Sequence, residues 1–170
     1  VDLHVHGGGD SDFMDEDASA FPTIAKAHCA HGTTALCPTT MTCADLLLEK
    51  TIDLFLEADK EPENGAELLG LHLEGPYFSA ASKGAQPIGE QRIPEREDLE
   101  RILRRAKGSI LRWDAAPELP NMELFAKVMA ENGVLASLAH SAATAPEALR
   151  AFDWGFSHVT HFYNACTTFH

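Results

Sequence analysis

The sequence predicts a parallel α/β fold, an eight-stranded (β/α)8 TIM-type barrel in preference to a doubly wound sheet. Apolar segments of strand length alternate with segments of helical period from one end of the chain to the other. Glycine or proline punctuates nearly every change of period. Histidines and a glutamate recur where predicted strands give way to loops, the rim at which such barrels carry their chemistry.

Val1–Val5 reads as the first strand and Gly7-Gly8-Gly9 as the loop that leaves it. Phe21, Ile24, Ala25, His28 and Cys29 then recur at helical spacing until Gly32 stops them. Thr33–Cys37 reads as a second strand closed by Pro38, and Leu48, Ile52, Phe55 and Leu56 give the next helix its apolar face. Leu68–Leu73 is a third strand ending at Glu74-Gly75-Pro76. The stretch from about Tyr77 to Ile93 is longer than a connection requires, and loops of that length are often functional. Glu95–Lys107 follows as a helix with a charged outer face, Ile110–Ala115 as a fourth strand, and Met122–Asn132 as a helix stopped by Gly133. Val134–Ala139 is the fifth strand. Thr144-Ala145-Pro146-Glu147 has the pattern of a capping box with proline at the start of a helix that ends near Gly155. Ser157–Thr160 is the sixth strand. A whole barrel takes about 250 residues, so residues 1–170 read as one partial barrel domain holding strands one to six.

Composition narrows the function classes. Hydrophobic residues make up 45% of the chain and charged residues 23%, the balance of a globular protein. No apolar run approaches the roughly 18 to 20 residues that span a bilayer, and no basic stretch leads into an apolar signal region. No membrane partner is expected, and the cytoplasm is the default location. The 26 acidic residues outnumber the 13 Lys and Arg for a net charge of −13, which would repel a phosphate backbone, so no nucleic acid is expected. Cys29, Cys37, Cys43 and Cys166 form no CxxC pair and read as reduced thiols. Residue 1 is Val and starts directly in an apolar alternating segment, so both ends read as cut.

His4 and His6 are one residue apart, so on a strand both imidazoles share a face. Glu74, His140 and His161 end the third, fifth and sixth predicted strands. Each alone is more simply a half-buried polar residue. Together they are five groups of the types that bind zinc or a similar divalent ion, all at one rim.

Four stretches sharpen this reading. They are Val1-Asp2-Leu3-His4-Val5-His6-Gly7-Gly8-Gly9; Leu71-His72-Leu73-Glu74-Gly75-Pro76-Tyr77-Phe78 with Lys83-Gly84-Ala85-Gln86; Ala139-His140-Ser141; and His158-Val159-Thr160-His161-Phe162-Tyr163-Asn164-Ala165. In order and spacing, across virtually the whole chain, they resemble the N-acetylglucosamine-6-phosphate deacetylases of the amidohydrolase superfamily, metal-dependent hydrolases built on this barrel. The resemblance implies removal of the acetyl group from N-acetylglucosamine 6-phosphate, giving glucosamine 6-phosphate and acetate in amino-sugar catabolism. It implies that Glu74, His140 and His161 bind one divalent ion and that His4, His6 and a shared Glu74 can bind a second, zinc first in expectation, with iron or another divalent ion as alternatives. It places Ala85, Asn164 and Ala165 against the sugar phosphate, the alanines through backbone groups, and Gln86 near the acetyl carbonyl.

The same resemblance assigns proton transfer to an aspartate beyond the sixth strand, past His170, so no residue here takes the catalytic base. Asp153 lies on a helix leading away from the rim. A homodimer is implied for the full-length parent, and these 170 residues alone are expected to be inactive. His72 reads as a core histidine or one standing behind the ligands, His28 and His31 as structural or exposed and remote from the motifs, His158 as turned away from His161, and Cys166 as packing. The competing readings are another amidohydrolase, such as a cyclic amide hydrolase, which would typically use a modified lysine where Glu74 stands, and a non-catalytic metal-binding piece.

Overall fold

The computed structural model describes residues 1–87 and 89–167. Its strands are β1 (Asp2–Val5), β2 (Gly7–Gly8), β3 (Ser11–Asp12), β4 (Ala35–Thr40), β5 (Glu67–Leu68), β6 (Leu71–Tyr77), β7 (Ile110–Ala115), β8 (Leu135–Leu138) and β9 (His158–Val159). Its α-helices are α1 (Ala20–Cys29), α2 (Asp45–Glu57), α3 (Arg96–Ala106), α4 (Met122–Glu131) and α5 (Ala145–Trp154). A 3₁₀ turn at Ala80–Ser82 sits early in the long loop, of which Ile88 lies outside the described residues, as does His170.

Every expected strand and helix is present, with four differences. Gly7–Gly8 does not simply leave the sheet; it pairs antiparallel with Ser11–Asp12, and a side chain at Gly7 would run into the Ser11 backbone. Pro38 does not close the second strand, because β4 runs on to Thr40. A mid-strand proline is tolerated here because β4 pairs with β5 at Ala35–Leu36 and with β6 at Thr39–Thr40, and Pro38 falls in the gap between those ladders. The third strand is broken at Leu69-Gly70, where Gly70 takes φ +149°. It then passes through Glu74, Gly75 and Pro76 to Tyr77, so Glu74 stands within the strand, not at its end. The capping of α5 is as expected: the Glu147 carboxylate accepts the Thr144 backbone N–H at 2.8 Å and its hydroxyl at 2.7 Å.

Strand order decides between the two α/β architectures. The main sheet runs β1-β4-β6-β7-β8-β9, with β5 beside β4, and every pairing in it is parallel. A doubly wound sheet reverses its order at a switch point; this one never reverses, and α2, α3, α4 and α5 each neighbour the next along the outside. The result is a curled part of a (β/α) barrel.

The two faces of the sheet differ in chemistry. Leu71, Leu73 and Trp113 are fully buried, and the Trp113 ring meets Tyr77 and Phe125, while Phe156 stacks beyond Phe125 on the helix side. The alternate positions His72, Glu74, Asp114 and Ser137 are buried and polar. Parallel strands covered on both faces usually read as continuous apolar runs, so the polar inner face marks the barrel axis as a place of chemistry. Among the described residues no helix is long and apolar enough to cross a membrane.

Candidate metal centre

The polar face gathers around Glu74. Its Oε1 lies 3.0 Å from His161 Nε2, 3.1 Å from His140 Nε2 and 3.6 Å from His4 Nε2. Its Oε2 lies 3.3 Å from His6 Nε2 and accepts the Gln86 Nε2–H at 2.7 Å. All five expected ligands therefore converge, although they arrive from four strand regions spread over 158 positions of sequence, from His4 to His161. The ligand atoms of His4, Glu74 and His161 all fall within 4.8 Å of one another.

The partners of the remaining ring nitrogens fix what the converging atoms are. His140 Nδ1 donates to the Ser82 carbonyl at 3.0 Å, His161 Nδ1 to the Asn164 carbonyl at 3.1 Å and His6 Nδ1 to the Thr39 carbonyl at 3.2 Å. A carbonyl only accepts, so the hydrogen of each neutral ring sits on Nδ1 and each Nε2 presents a bare lone pair. The Nε2 atoms of His140 and His161 are 3.1 Å apart, both against the same carboxylate oxygen. With the rings neutral, three acceptors face one another without a donor, an arrangement satisfied by a cation, either a metal ion or a proton shared between an Nε2 and Glu74. Their 3.0 to 3.1 Å separations approach the roughly 3.3 Å edge of a tetrahedron with zinc–ligand bonds near 2.0 to 2.1 Å. Metal-binding histidines ordinarily donate the other ring N–H to such a carbonyl, so the donor set fits a divalent ion.

Charge points the same way. Burial alone would raise the Glu74 carboxyl, but hydrogen bonds from His140, His161 and His6 overcome it and hold the group well below the usual carboxylate range. Burial pushes His4 down to about 4 against the pull of Glu74, which leaves that ring neutral. The Glu74 hydrogen bond raises His161; for His6 burial acts downward and Glu74 prevails, raising it too. His4 differs also in its second nitrogen, because its buried Nδ1 has no hydrogen-bond partner.

Local backbone makes these placements. His140 and His161 each follow a strand by two residues and take φ +46° and +33°, a left-handed conformation that costs a non-glycine residue energy and persists where surrounding contacts enforce it. The Phe78 ring lies against the His140 imidazole, 4.4 Å between centroids. At Gly75 a side chain would collide with Thr42 Oγ1, and the close approach brings the Thr42 N–H to Gln86 Oε1 at 2.8 Å.

A cavity of about 350 Å³ opens over the cluster, in the range of small-molecule sites. His6, Glu74, His140 and His161 line it, together with Met41, Gly84, Ala85, Gln86, Asn164 and Ala165. All four residues expected to meet substrate are at this wall. The Gln86 amide, however, is bonded at both ends, to Glu74 and to Thr42, so its head group serves the carboxylate. Lys83 is half-buried on the neighbouring loop and its ammonium turns to the Gly84 carbonyl. Met41 and Thr39 were missed from sequence because the second strand was expected to stop at Cys37; applying the strand-end rule at Thr40 finds both.

The other histidines and Cys166 fall as read. His72 is fully buried, His28 Nε2 bonds the Gly7 carbonyl at 3.0 Å, His31 is exposed, and His158 turns to Ser157 Oγ. Burial raises the Cys166 thiol, which packs against the core as no nucleophile would. Asp153 is exposed on α5.

No family model matches the chain. Among curated proteins it is 32% identical to the N-acetylglucosamine-6-phosphate deacetylase of Lysinibacillus sphaericus, across all of this chain and 44% of that protein. It is 30% identical to the N-acetylgalactosamine-6-phosphate deacetylase of Escherichia coli O157:H7, across all of this chain and 45% of that one. Among solved structures it superposes with TM-score 0.89 and 28% identity on an aspartate-to-alanine variant of N-acetyl-D-glucosamine-6-phosphate deacetylase from Mycobacterium smegmatis in complex with N-acetyl-D-glucosamine-6-phosphate, covering 97% of this chain and 42% of that one. The chain thus spans somewhat under half the length of the relatives it matches. Over essentially its whole length the chain is similar to N-acetylglucosamine-6-phosphate deacetylases, in sequence and in fold.

Proposed function

We propose that the protein takes part in metal-dependent hydrolysis of the acetamide of N-acetylglucosamine 6-phosphate, releasing acetate and glucosamine 6-phosphate. The observation that carries this is the meeting of four imidazoles on one ionised carboxylate at the floor of a cavity whose wall includes Ala85, Asn164 and Ala165.

Glu74, His140 and His161 would hold one divalent ion, zinc in first place, with His4 and His6 able to hold a second through the other oxygen of Glu74. A bound ion of this kind lowers the pKa of water and polarises a carbonyl, so that attack on an acetamide proceeds at neutral pH. The chain's own part is orientation. Ser82, Asn164 and Thr39 carbonyls fix three rings with Nε2 inward, and Gln86 fixes the plane of the Glu74 carboxylate. Ala85, Asn164 and Ala165 would bear the sugar phosphate through backbone groups and one amide. Among the described residues Glu74 is the sole carboxylate lining the cavity, and it is occupied as a ligand. No other carboxylate among the described lining residues is left to move a proton to the departing amine, and the family resemblance implies an aspartate in that role.

Residues 1–170 would form one partial barrel domain of a cytoplasmic homodimer acting on a small amino-sugar phosphate, without nucleic-acid or membrane partners. A second reading within the same chemistry is the galactosamine epimer, favoured by the likeness to the Escherichia coli relative named for it. The test is a His140→Ala, His161→Ala double variant of the natural full-length protein. Its bound metal should fall by at least one ion per chain and acetate release should be lost, with the two epimers compared by kcat/KM in the unaltered protein. Undiminished metal content would overturn the ligand assignment.

A further inference from the structure

We propose that Asp114 is a positioning residue for the ligand set, anchoring from one layer beneath it the strand segments that carry His4, His6 and His161. The inference rests on the metal reading above. Asp114 is fully buried on β7, beside Glu74 in the β6–β7 register, and belongs to none of the motifs that marked the site.

Its contacts spread sideways across the sheet. Asp114 Oδ1 accepts the Thr160 hydroxyl at 2.9 Å, and Thr160 immediately precedes His161; Ser137 Oγ on β8 meets the same hydroxyl at 2.8 Å. On the other side Asp114 Oδ2 lies 2.9 Å from His72 Nε2 in close contact, and neither atom has a hydrogen-bond partner. His72 Nδ1 lies 2.8 Å from Arg112 Nη2, which can only donate, so the ring hydrogen is on Nε2 and faces Asp114. The same Arg112 nitrogen donates to the carbonyl of Leu3, the residue before His4, and the His72 ring lies edge-on to His4 at 5.0 Å. His72 Nδ1 is also 3.2 Å from Thr39 Oγ1, which accepts the Val5 N–H, while the Thr39 carbonyl takes His6 Nδ1. From one carboxylate, each path of contacts ends beside a ligand.

A structural role alone does not account for the chemistry chosen. A buried carboxylate with an imidazole and a guanidinium is costly to desolvate, and apolar side chains of similar volume commonly stabilise such a layer as well or better. Polar bonds, unlike apolar packing, fix direction and distance, and a ligand cage demands both.

The experiment is a cobalt(II) titration of the natural full-length protein, read by its visible absorption, for the unaltered chain, Asp114→Asn, Thr160→Val and Thr160→Ser. Thr160→Val removes only the hydroxyl and should weaken cobalt binding by about tenfold or more and shift the absorption band, with little change in the metal-free melting midpoint. Thr160→Ser should restore both affinity and band. Asp114→Asn should weaken binding further, and if it does not fold, Thr160→Val decides. Parent-like affinity and spectrum in Thr160→Val overturn this inference and leave the metal reading standing. Failure of the unaltered protein to bind cobalt overturns both.

Discussion

A neutral imidazole offers a metal one lone pair, and which nitrogen offers it is decided by what the other nitrogen touches. His6, His140 and His161 each donate Nδ1–H to a backbone carbonyl, and of those carbonyls only that of Asn164 belongs to a stretch that marked the site. Gln86 does for Glu74 what the carbonyls do for the rings, with its Oε1 in turn held by the buried Thr42 N–H. Gln86→Leu should therefore have two separable effects. The stranded Thr42 N–H should cost about 1 to 3 kcal/mol of folding stability. The freed carboxylate should weaken metal binding by about 10- to 100-fold. Denaturant unfolding and metal competition measure them; a variant unchanged in both would return Gln86 to the role of a substrate contact. The convergence of the proposed ligands was legible in part, because strand period places His4 and His6 together and strand ends place His140 and His161, whereas Glu74 stands within its strand. The hold of Gln86 on Glu74, a residue singled out for another role, and the parts of Ser82 and Asp114 were not, since their partners lie 12 to 58 positions away and are chosen by the path of the loop and the register of strands.

Helix α3 carries two of its four arginines toward α2. Arg101 pairs with Asp45 at 2.6 Å and with Glu49, and Arg105 pairs with Glu49 at 2.8 Å. Asp45 also takes Arg92, so one side chain ties both α3 and the loop that carries Ala85 and Gln86. Burial acts to raise the Asp45 carboxyl, and Arg92 and Arg101 overcome it and lower it. A folded-state pKa below the unfolded one means that the contribution is present above the unfolded value, near 4, and is lost as pH falls through the folded value. Asp45→Asn should thus lower the melting midpoint by a few degrees at neutral pH, since half-exposed pairs contribute about 0 to 1 kcal/mol each. The gap between variant and parent should close as pH falls well below the ordinary aspartate value, near 4, and narrow in about 1 M salt. A gap that persists in acid would assign the effect to packing. At this scale the sequence located α1, α3, α4 and α5 to within a residue or two and gave α2 its apolar face without bounds, because apolar period and caps are local. It misjudged β4 and β6 because proline and glycine stop a strand only when neighbouring strands claim the missing bonds, and that is settled by the sheet.

The whole molecule is a curled sheet whose order runs from β1 to β9, with the ligand cage across its inner face and a polar layer below. A net charge of −13 does not bar a phosphorylated sugar from such a cage, because bound cations and nearby backbone N–H groups dominate the local field. What the cage lacks, among the described residues, is a second carboxylate facing the cavity: Glu74 is held by four imidazoles and an amide and has no free oxygen to shuttle a proton. Loss of general acid–base help alone costs about 10²- to 10⁴-fold in rate. The two end strands compound this, because β1 and β9 each pair on one side only among the described residues and offer backbone groups to other chains. Residues 1–170, purified alone and saturated with zinc, should therefore bind metal yet release no acetate from N-acetylglucosamine 6-phosphate above background, and should associate as concentration rises. Acetate production is followed directly and association by light scattering. Acetate release at an enzymatic rate, abolished by Glu74→Gln, would place the proton-transfer group inside this chain and make Glu74 both ligand and base.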